Sequence, residues 1–94
     1  MSDIPKLSIV IPSYNRNTTV MANLPTLIAQ LNPEVELLIL DNCSKVPLSE
    51  TLAPLIAAQG GNCIKIIRHA TNIGAAANIL RSFEVASGPW LWIL

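Results

Sequence analysis

The chain has 94 residues, of which 51% are hydrophobic and 13% charged, and this length allows one small domain with a modest core. Six Lys and Arg residues balance six Asp and Glu residues, so no excess charge favours nucleic acid or an anionic membrane surface as a partner. No secretory signal pattern opens the chain and no apolar run reaches the roughly 18 residues of a membrane span, so we expect a cytoplasmic, soluble protein.

The first predicted element is a buried strand within residues 7–15. Its mostly β-branched run is too short for a helix, and Pro12 ends it because proline has no amide hydrogen to donate. The strand stops on the polar tip Ser13-Tyr14-Asn15-Arg16. Because ligands of open α/β sheets bind beyond the carboxyl ends of the strands, this tip is a candidate for ligand contact.

A first helix and a second strand follow. The helix is predicted from apolar residues on one face, namely Val20, Met21, Leu24, Leu27, Ile28 and Leu31. Asn17 or Thr18 is expected to cap its start, and Pro25 is expected to kink it at a cost of up to about 3 kcal/mol. The aliphatic run at 37–40 predicts a second buried strand, which ends on the polar tip Asp41-Asn42-Cys43-Ser44.

The next helix and strand repeat this arrangement. Leu48, Leu52, Leu55 and Ile56 have helical spacing; Ser49 is a candidate cap and Gly60-Gly61 a stop. The third strand, predicted from Cys63 to Arg68, has a mixed character that suits a sheet edge. It ends in a polar loop at residues 69–74.

The last helix and strand complete the predicted fold. The helix begins at Ala75 and carries a stripe of Ala76, Ile79, Leu80 and Phe83, with Arg81 and Glu84 facing away; Ser87-Gly88-Pro89 ends it. Residues 90–94 predict a fourth strand. The order β-α-β-α-β-α-β predicts an α/β fold, a three-layer open parallel sheet of about four strands with helices on both faces. Its polar tips then gather along one edge.

Neither cysteine indicates a metal site. Cys43 and Cys63 do not form a Cys-x-x-Cys pair, and the single histidine, His69, adds no ligand at metal-binding spacing. We expect both to be reduced, structural thiols.

Two side chains at the strand ends have chemistry that suits a nucleoside. Asp41 follows four consecutive aliphatic residues, so a rigid element holds its carboxylate where an N–H or a ribose hydroxyl could meet it. The alternative is that Asp41 only caps the turn through Ser44. Tyr14, the only tyrosine, could stack on a planar base or could merely cover the top of the core.

The loop before the third helix suits phosphate or ribose oxygens. Asn72-Ile73-Gly74 offers backbone amides and a helix N-terminus, although such a turn is also common without a ligand. One helical turn later, Asn78 could brace the loop or point at a ligand. Arg16 and Arg68 are the basic side chains near the tips, either for a diphosphate or as solvated surface residues.

Motifs of other enzymes are missing from the sequence. It has no Gly-x-Gly-x-x-Gly, no Gly-x-x-x-x-Gly-Lys-Ser/Thr and no Gly-x-Ser-x-Gly, which disfavours dinucleotide, ATPase and hydrolase functions. A hydrolase triad cannot be assembled around a single imidazole. We predict no catalytic residue and no metal ligand within this chain.

Three blocks occur together in the chain: Leu-Ser-Ile-Val-Ile-Pro-Ser-Tyr-Asn-Arg, Leu-Leu-Ile-Leu-Asp-Asn-Cys-Ser and Asn-Ile-Gly-Ala-Ala-Ala-Asn-Ile. In order and spacing they resemble the opening of a family 2 glycosyltransferase. The resemblance implies the N-terminal, nucleotide-binding half of a GT-A, Rossmann-like fold. It also implies a nucleotide-diphosphate sugar donor and a divalent cation, Mg or Mn, in the full-length enzyme.

The same resemblance implies roles for seven residues. Pro12 and Tyr14 would line the base pocket, and Arg16 would lie near the nucleotide. Asp41 would accept a hydrogen bond from the base. Asn72 and Gly74 would form the loop beside the nucleoside, and Asn78 would lie behind that loop.

The chain departs from the family pattern at its end. In such enzymes the fourth strand leads into an Asp-x-Asp metal motif, whereas this sequence stops at Leu94, and the acceptor half is absent. We therefore expect residues 1–94 to be a single truncated nucleotide-sugar-binding domain without turnover. Its exposed C-terminal strand predicts self-association.

Two other classes remain open from the sequence. One is a non-enzymatic small α/β module for binding or oligomerisation. The other is a flavodoxin-like receiver or flavin domain, which shares the architecture but would need acidic residues at the first strand tip. The donor sugar, the base and the acceptor are not determined by these residues.

Overall fold

The computed structural model describes residues 5–59 and 64–94. The elements in chain order are β1 Leu7–Ser13, α1 Asn17–Ile28, β2 Val35–Asp41, α2 Leu48–Gln59, β3 Ile64–Arg68, α3 Ala75–Val85 and β4 Trp90–Ile93. The strands form one sheet in the order β3-β2-β1-β4, and every neighbouring pair is parallel. The predicted α/β fold with about four parallel strands is confirmed.

The sheet is covered on both faces because successive side chains of a strand point to opposite sides. On one face Ile9, Leu37 and Ile39 pack against buried residues of α1 and α2, including Leu24 and Leu52. The opposite face has a smaller core. It is formed by Val10, Leu38 and Leu40, with Val85 of α3 and Leu91 of β4 packed against them.

Helix α1 begins earlier than its apolar pattern predicted. Val20 donates its amide to the carbonyl of Arg16, so the helix starts at Asn17 and ends at Ile28. The predicted cap at Asn17 or Thr18 is wrong, since Arg16 is the N-cap residue and makes no side-chain cap bond. The Asn17 amide is used elsewhere: it donates to the carbonyl of Val46 at 2.8 Å and ties α1 to the chain before α2. Pro25 lies inside the helix, and the kink stays a prediction.

Helix α2 also begins differently from expectation. It starts at Leu48, so Ser49 lies inside the helix and the predicted cap at Ser49 is wrong. A carboxylate from another element takes the first amide instead, since Leu48 donates to Asp41 Oδ2 at 3.0 Å. The predicted stop at Gly60-Gly61 and the thiol of Cys63 lie outside the described residues.

Helix α3 buries two polar residues, and Val85 at its end packs against the smaller core. Its buried residues are Asn78 and Ser82, whereas Leu80 and Phe83 are 63% and 64% exposed. The predicted stripe therefore does not face the core. Small and polar side chains let α3 lie close to the sheet, where the amide of Asn78 reaches a main-chain carbonyl of β2.

The two sheet edges differ in exposure. The prediction that the third strand is an edge strand is confirmed, and β4 forms the other edge. On β4, Trp90 and Trp92 are 73% and 52% exposed. Among the described residues, no helix is both long enough and apolar enough to cross a membrane.

Candidate functional site

A cavity of about 430 Å³, here called the tip cavity, lies where β1 and β2 end and α3 begins. It combines residues from three separate parts of the chain, as the convergence of parallel strand ends predicts. Its lining consists of Pro12, Ser13, Tyr14, Arg16, Asn42, Asn72, Gly74, Ala75, Asn78 and Ile79. Six of the seven residues proposed from the sequence are among them, and Asp41 is the exception.

Hydrogen bonds lock the tip of β1 against the tip of β2. The amide of Asn42 donates to the carbonyl of Ser13 at 2.8 Å. Asn15 has a positive φ of 52°, which turns the chain so that its amide donates to Ser44 Oγ at 2.9 Å. The side chain of Asn15 in turn accepts the amide of Lys45. One wall of the cavity is therefore fixed before any ligand arrives.

Asp41 directly precedes the cavity residue Asn42 and is completely buried. Its carboxylate accepts hydrogen bonds from the amides of Ser44 at 2.9 Å and Leu48 at 3.0 Å, and from Arg68 Nη1 at 3.0 Å. Burial by itself raises the pKa of Asp41, but the hydrogen bonds from Leu48, Ser44 and Arg68 outweigh it and hold the pKa below its ordinary value. The carboxylate thus caps the turn that follows β2, and its contact with a base stays a prediction.

The loop between β3 and α3 forms the opposite wall. Asn72 Oδ1 accepts the amide of Gly74 at 2.7 Å, which closes a tight turn. Gly74 has a φ of +89°, a conformation that favours glycine. It is the N-cap residue of α3 and no side chain caps this helix end, whose first turn also contains no acidic residue. Ala75, the first residue of this uncapped helix end, lines the cavity.

The side chain of Asn78 joins α3 to β2 and to the start of the loop after β3, which agrees with bracing, one of its two predicted roles. It is 2% exposed, and its Nδ2 donates to the carbonyl of Leu40 at 3.1 Å. Its Oδ1 lies 2.7 Å from His69 Nε2, so the histidine is the donor of this pair. The role of His69 was missed because no local pattern indicates that this residue lies beside α3.

The two arginines proposed for a diphosphate have different positions. Arg16 is exposed, lines the cavity, and has no ion pair within residues 5–59 and 64–94. Arg68 is not part of the cavity lining; it pairs with Asp41, and its Nη2 lies 3.8 Å from Cys43 Sγ. Arg16 is therefore the basic side chain available to a ligand here.

Asn42 was missed as a cavity residue, whereas Ser13 belongs to the first polar tip that was predicted to meet a ligand, although it was not among the seven proposed residues. Ser13 is 4% exposed, and its hydroxyl has no hydrogen-bond partner among the described residues. Asn42 is 2% exposed and holds the opposite loop through its side chain. In the sequence Asn42 looked like an ordinary turn residue, and only the fold shows that it faces another segment.

A second cavity of about 260 Å³ adjoins the first between α1 and the edge of the sheet. It shares Pro12, Ser13 and Arg16 with the tip cavity, but the rest of its lining is mainly aliphatic, including Leu24 and Leu94. The tip cavity has more of the amide groups that orient a polar ligand.

The described residues do not fit a metal ion. No group of three or more His, Cys, Asp or Glu side chains lies close enough together within ranges 5–59 and 64–94. The carboxylate of Asp41, the residue before the cavity residue Asn42, already accepts hydrogen bonds from two main-chain amides and an arginine. We therefore assign no metal-dependent step to these residues.

Comparison with known proteins identifies the class. Residues 8–94 match the family described as glycosyl transferase family 2, and the chain belongs to that family. A protein of Haemophilus influenzae (strain ATCC 51907 / DSM 11121 / KW20 / Rd), described as an uncharacterized glycosyltransferase, is 34% identical over 88 residues. That match covers 94% of this chain but 28% of the relative, so the chain spans little more than a quarter of its length.

Solved structures support the fold. The mannosyltransferase PcManGT from Pyrobaculum calidifontis, in complex with GDP-Man and Mn²⁺, has a TM-score of 0.81 at 14% identity. The match covers 94% of this chain and 26% of that protein. S. aureus TarS 1-349 in complex with UDP has a TM-score of 0.75 at 24% identity, covering 95% and 26%. The expected GT-A architecture is confirmed.

Proposed function

We propose that the protein containing these residues transfers a sugar from a nucleotide-diphosphate sugar to an acceptor, and that this domain binds the nucleotide. The observation that carries the proposal is the tip cavity, where six of the seven residues expected to meet a nucleotide line one space. Family membership supports the transfer, since the family is one of glycosyl transferases. The two structural relatives were solved with GDP-Man and with UDP.

The β1 side of the cavity suits the base. Tyr14 is 45% exposed beside Pro12, so an aromatic face is accessible at the cavity wall. A base that stacks on this ring would gain about 1–3 kcal/mol. The unpartnered hydroxyl of Ser13 supports a polar ligand, because a buried hydroxyl without a partner costs about 1–3 kcal/mol that a ligand could recover.

The α3 side suits the ribose and the phosphates. The free amides of an uncapped helix N-terminus favour anionic oxygens, and no acidic residue in the first turn opposes them. Arg16 lies in the lining of the same cavity and supplies a positive charge. In this arrangement the base lies toward Tyr14 and the diphosphate toward Ala75.

Asp41 is proposed to accept a hydrogen bond from the base of the nucleotide. Its carboxylate has three donors already, so one acceptor position at most remains for an N–H of the base. It is also fully buried, and direct contact would need the turn after β2 to move. The β2 tip that it stabilises contributes Asn42 to the cavity lining.

We expect the 94-residue chain to bind nucleotide weakly and to transfer no sugar. A nucleoside diphosphate departs only when the negative charge that develops on it is neutralised. A divalent cation, Mg or Mn, supplies the positive charge for this when bound. The described residues offer no cluster for such an ion, and we propose that its ligands and the acceptor site belong to other parts of the protein. The single-domain organisation and the cytoplasmic location stay predictions.

We also propose that the isolated chain self-associates through β4. This edge strand presents Trp90 and Trp92 with more than half of each side chain exposed, and exposed apolar edges favour pairing with another chain. Sedimentation at increasing concentration should show species larger than the monomer. Replacing Trp92 with Lys should reduce them, and a monomer at all concentrations would contradict this proposal.

Calorimetric titration with UDP, dTDP and GDP tests the binding proposal. We expect heat of binding with at least one nucleotide and no dependence of the affinity on added Mg or Mn. Arg16→Ala should weaken binding several-fold because it removes the free positive charge at the cavity. The matched control is Arg81→Ala, since Arg81 pairs with Glu84 on the outer surface of α3. Absence of heat with every nucleotide in a folded sample would contradict the proposal.

A further inference from the structure

The side chain of Asn42 bridges two walls of the tip cavity. Its Oδ1 accepts the amide of Ile73 at 2.9 Å, and its Nδ2 donates to the carbonyl of Gly74 at 3.2 Å. These partners lie 31 and 32 residues further along the chain. One planar amide therefore pairs with the main chain of a distant loop in the way that a neighbouring strand would.

Asn42 is itself held by the sheet. Its amide donates to the carbonyl of Ser13 at 2.8 Å, which places it beside the last residue of β1. The carbonyl of the preceding residue, Asp41, accepts the amide of His69 at 2.9 Å. The Asn42 side chain thus projects from a rigid position toward a loop that has no strand pairing of its own.

The turn at residues 72–74 needs this support because the hydrogen bonds within it fix its conformation but not its position relative to the sheet. Asn72 Oδ1 accepts the amide of Gly74 within the turn. The carbonyl of Gly74 also accepts the amide of Asn78, which begins α3. The bonds that hold the turn residues Ile73 and Gly74 to the segment after β2 are those made by the side chain of Asn42.

We propose that Asn42 is a positioning residue for the nucleotide site: its side-chain amide fixes the turn at residues 72–74 and the start of α3 at the distance from Tyr14 that a nucleoside diphosphate requires. The inference rests on the proposed nucleotide binding and deepens it. Few side chains can fill this role, because it needs one acceptor and one donor in the same plane. Aspartate has the same shape but, when ionised, would direct a second acceptor at the carbonyl of Gly74.

This difference provides a test with a pH readout. In Asn42→Asp the protonated carboxyl can accept from Ile73 and donate to Gly74, as the amide does, whereas the ionised form cannot donate. Relative to the parent chain, UDP affinity of Asn42→Asp should be at least about tenfold lower near pH 8, which is roughly 1.4 kcal/mol. The ratio should approach one as the pH is lowered.

Other groups near Asn42 also carry charge, so at each pH the UDP affinity of the variant is divided by that of the parent chain. They occur in both chains: Asp41, Arg68, His69 and Arg16. Asn32→Asp is the matched control, because Asn32 is exposed before β2, where its Oδ1 accepts the amide of Glu34, and does not line the tip cavity. Its affinity ratio should stay near one at every pH.

Amide hydrogen exchange of Ile73 gives a readout that needs no nucleotide. Exchange at Ile73 should be faster in Asn42→Ala, which removes the acceptor of its amide, after correction for intrinsic rates, while Ile39 in the centre of β2 stays protected. Unchanged Ile73 exchange, an unchanged affinity, or a loss of affinity that does not vary with pH would each overturn the role of Asn42. If the parent chain binds no nucleotide, the proposed function fails first and this role fails with it.

Discussion

Arg68 Nη1 lies 3.0 Å from Asp41 Oδ2, and this ion pair joins the ends of β3 and β2. The same carboxylate also receives the first amide of α2 and the amide of Ser44. One buried side chain therefore holds two strand ends, a turn and a helix start together. The geometry of the site depends on this arrangement as much as on the residues that face the cavity.

Replacing Asp41 with Asn should destabilise the fold strongly. The substitution keeps the shape but removes the charge that three donors share, and we expect a loss of about 2–4 kcal/mol. Urea denaturation measures it. The control is Glu84→Gln, which breaks the exposed pair with Arg81 and should cost less than about 0.5 kcal/mol. Equal losses in the two variants would contradict the role given to Asp41.

Acid should remove the contribution of Asp41. Its pKa in the folded chain lies below the ordinary value of 3.8, so the unfolded chain takes up this proton first as the pH falls. The stabilisation is fully present above about pH 4 and is lost as the pH falls through the lower folded value. The difference in unfolding free energy between the parent chain and Asp41→Asn should therefore shrink below about pH 4. A difference that stays constant into strong acid would contradict this.

Tyr14→Ala should weaken nucleotide binding without unfolding the chain. Tyr14 is 45% exposed at the cavity wall, so little core packing is lost, whereas a stacking surface disappears. The expected loss is about 1–3 kcal/mol, measured by calorimetric titration with UDP. Tyr14→Phe should retain most of the affinity.

Phe83→Ala serves as the control for an exposed aromatic residue outside the cavity, since Phe83 is 64% exposed on α3. It should leave the affinity unchanged. An equal loss in Tyr14→Ala and Phe83→Ala would show that the effect is not one of base stacking.

Gly74→Ala should disturb the site through backbone strain. A Cβ at Gly74 would meet no atom within 4 Å, so the penalty comes from its φ of +89° and should be about 1–2 kcal/mol. Because α3 begins there, nucleotide affinity should fall as well. Thermal unfolding and UDP titration measure the two effects.

Gly88→Ala is the contrasting variant. A Cβ there would lie 3.0 Å from Ser8 Oγ and 3.1 Å from the carbonyl of Pro5, near the start of β1 and far from the strand ends. It should lower stability but leave the nucleotide affinity of the folded chain intact. Loss of affinity in Gly88→Ala alone would contradict the placement of the site.

The sheet and its polar edge were predictable from the sequence because short aliphatic runs ending on polar residues are a local signal. The run at Leu37–Leu40 and the tip that follows it need no knowledge of distant residues, and the strand they predicted is present as β2. The same holds for Tyr14 and Gly74, which were expected at one cavity and line it together.

The errors arose where a side chain is used by a distant segment. Asn17 looked like a cap, but its amide reaches Val46 and Thr51 instead. The stripe on α3 looked like a core face, yet the helix buries Asn78 because that amide bonds to Leu40. Asn42 was overlooked for the same reason, since its partners become visible only when β3 and α3 are in place.

The central claim is that three strand-end segments form one nucleotide site. Titration of the isotope-labelled chain with UDP, followed by amide resonances, tests it most directly. We expect the amides of Tyr14, Asn42 and Gly74 to shift together with a single dissociation constant, while Ile64 on the outer strand stays unchanged. Shifts confined to one of these segments, different dissociation constants among them, or no shift with saturating UDP would contradict the account.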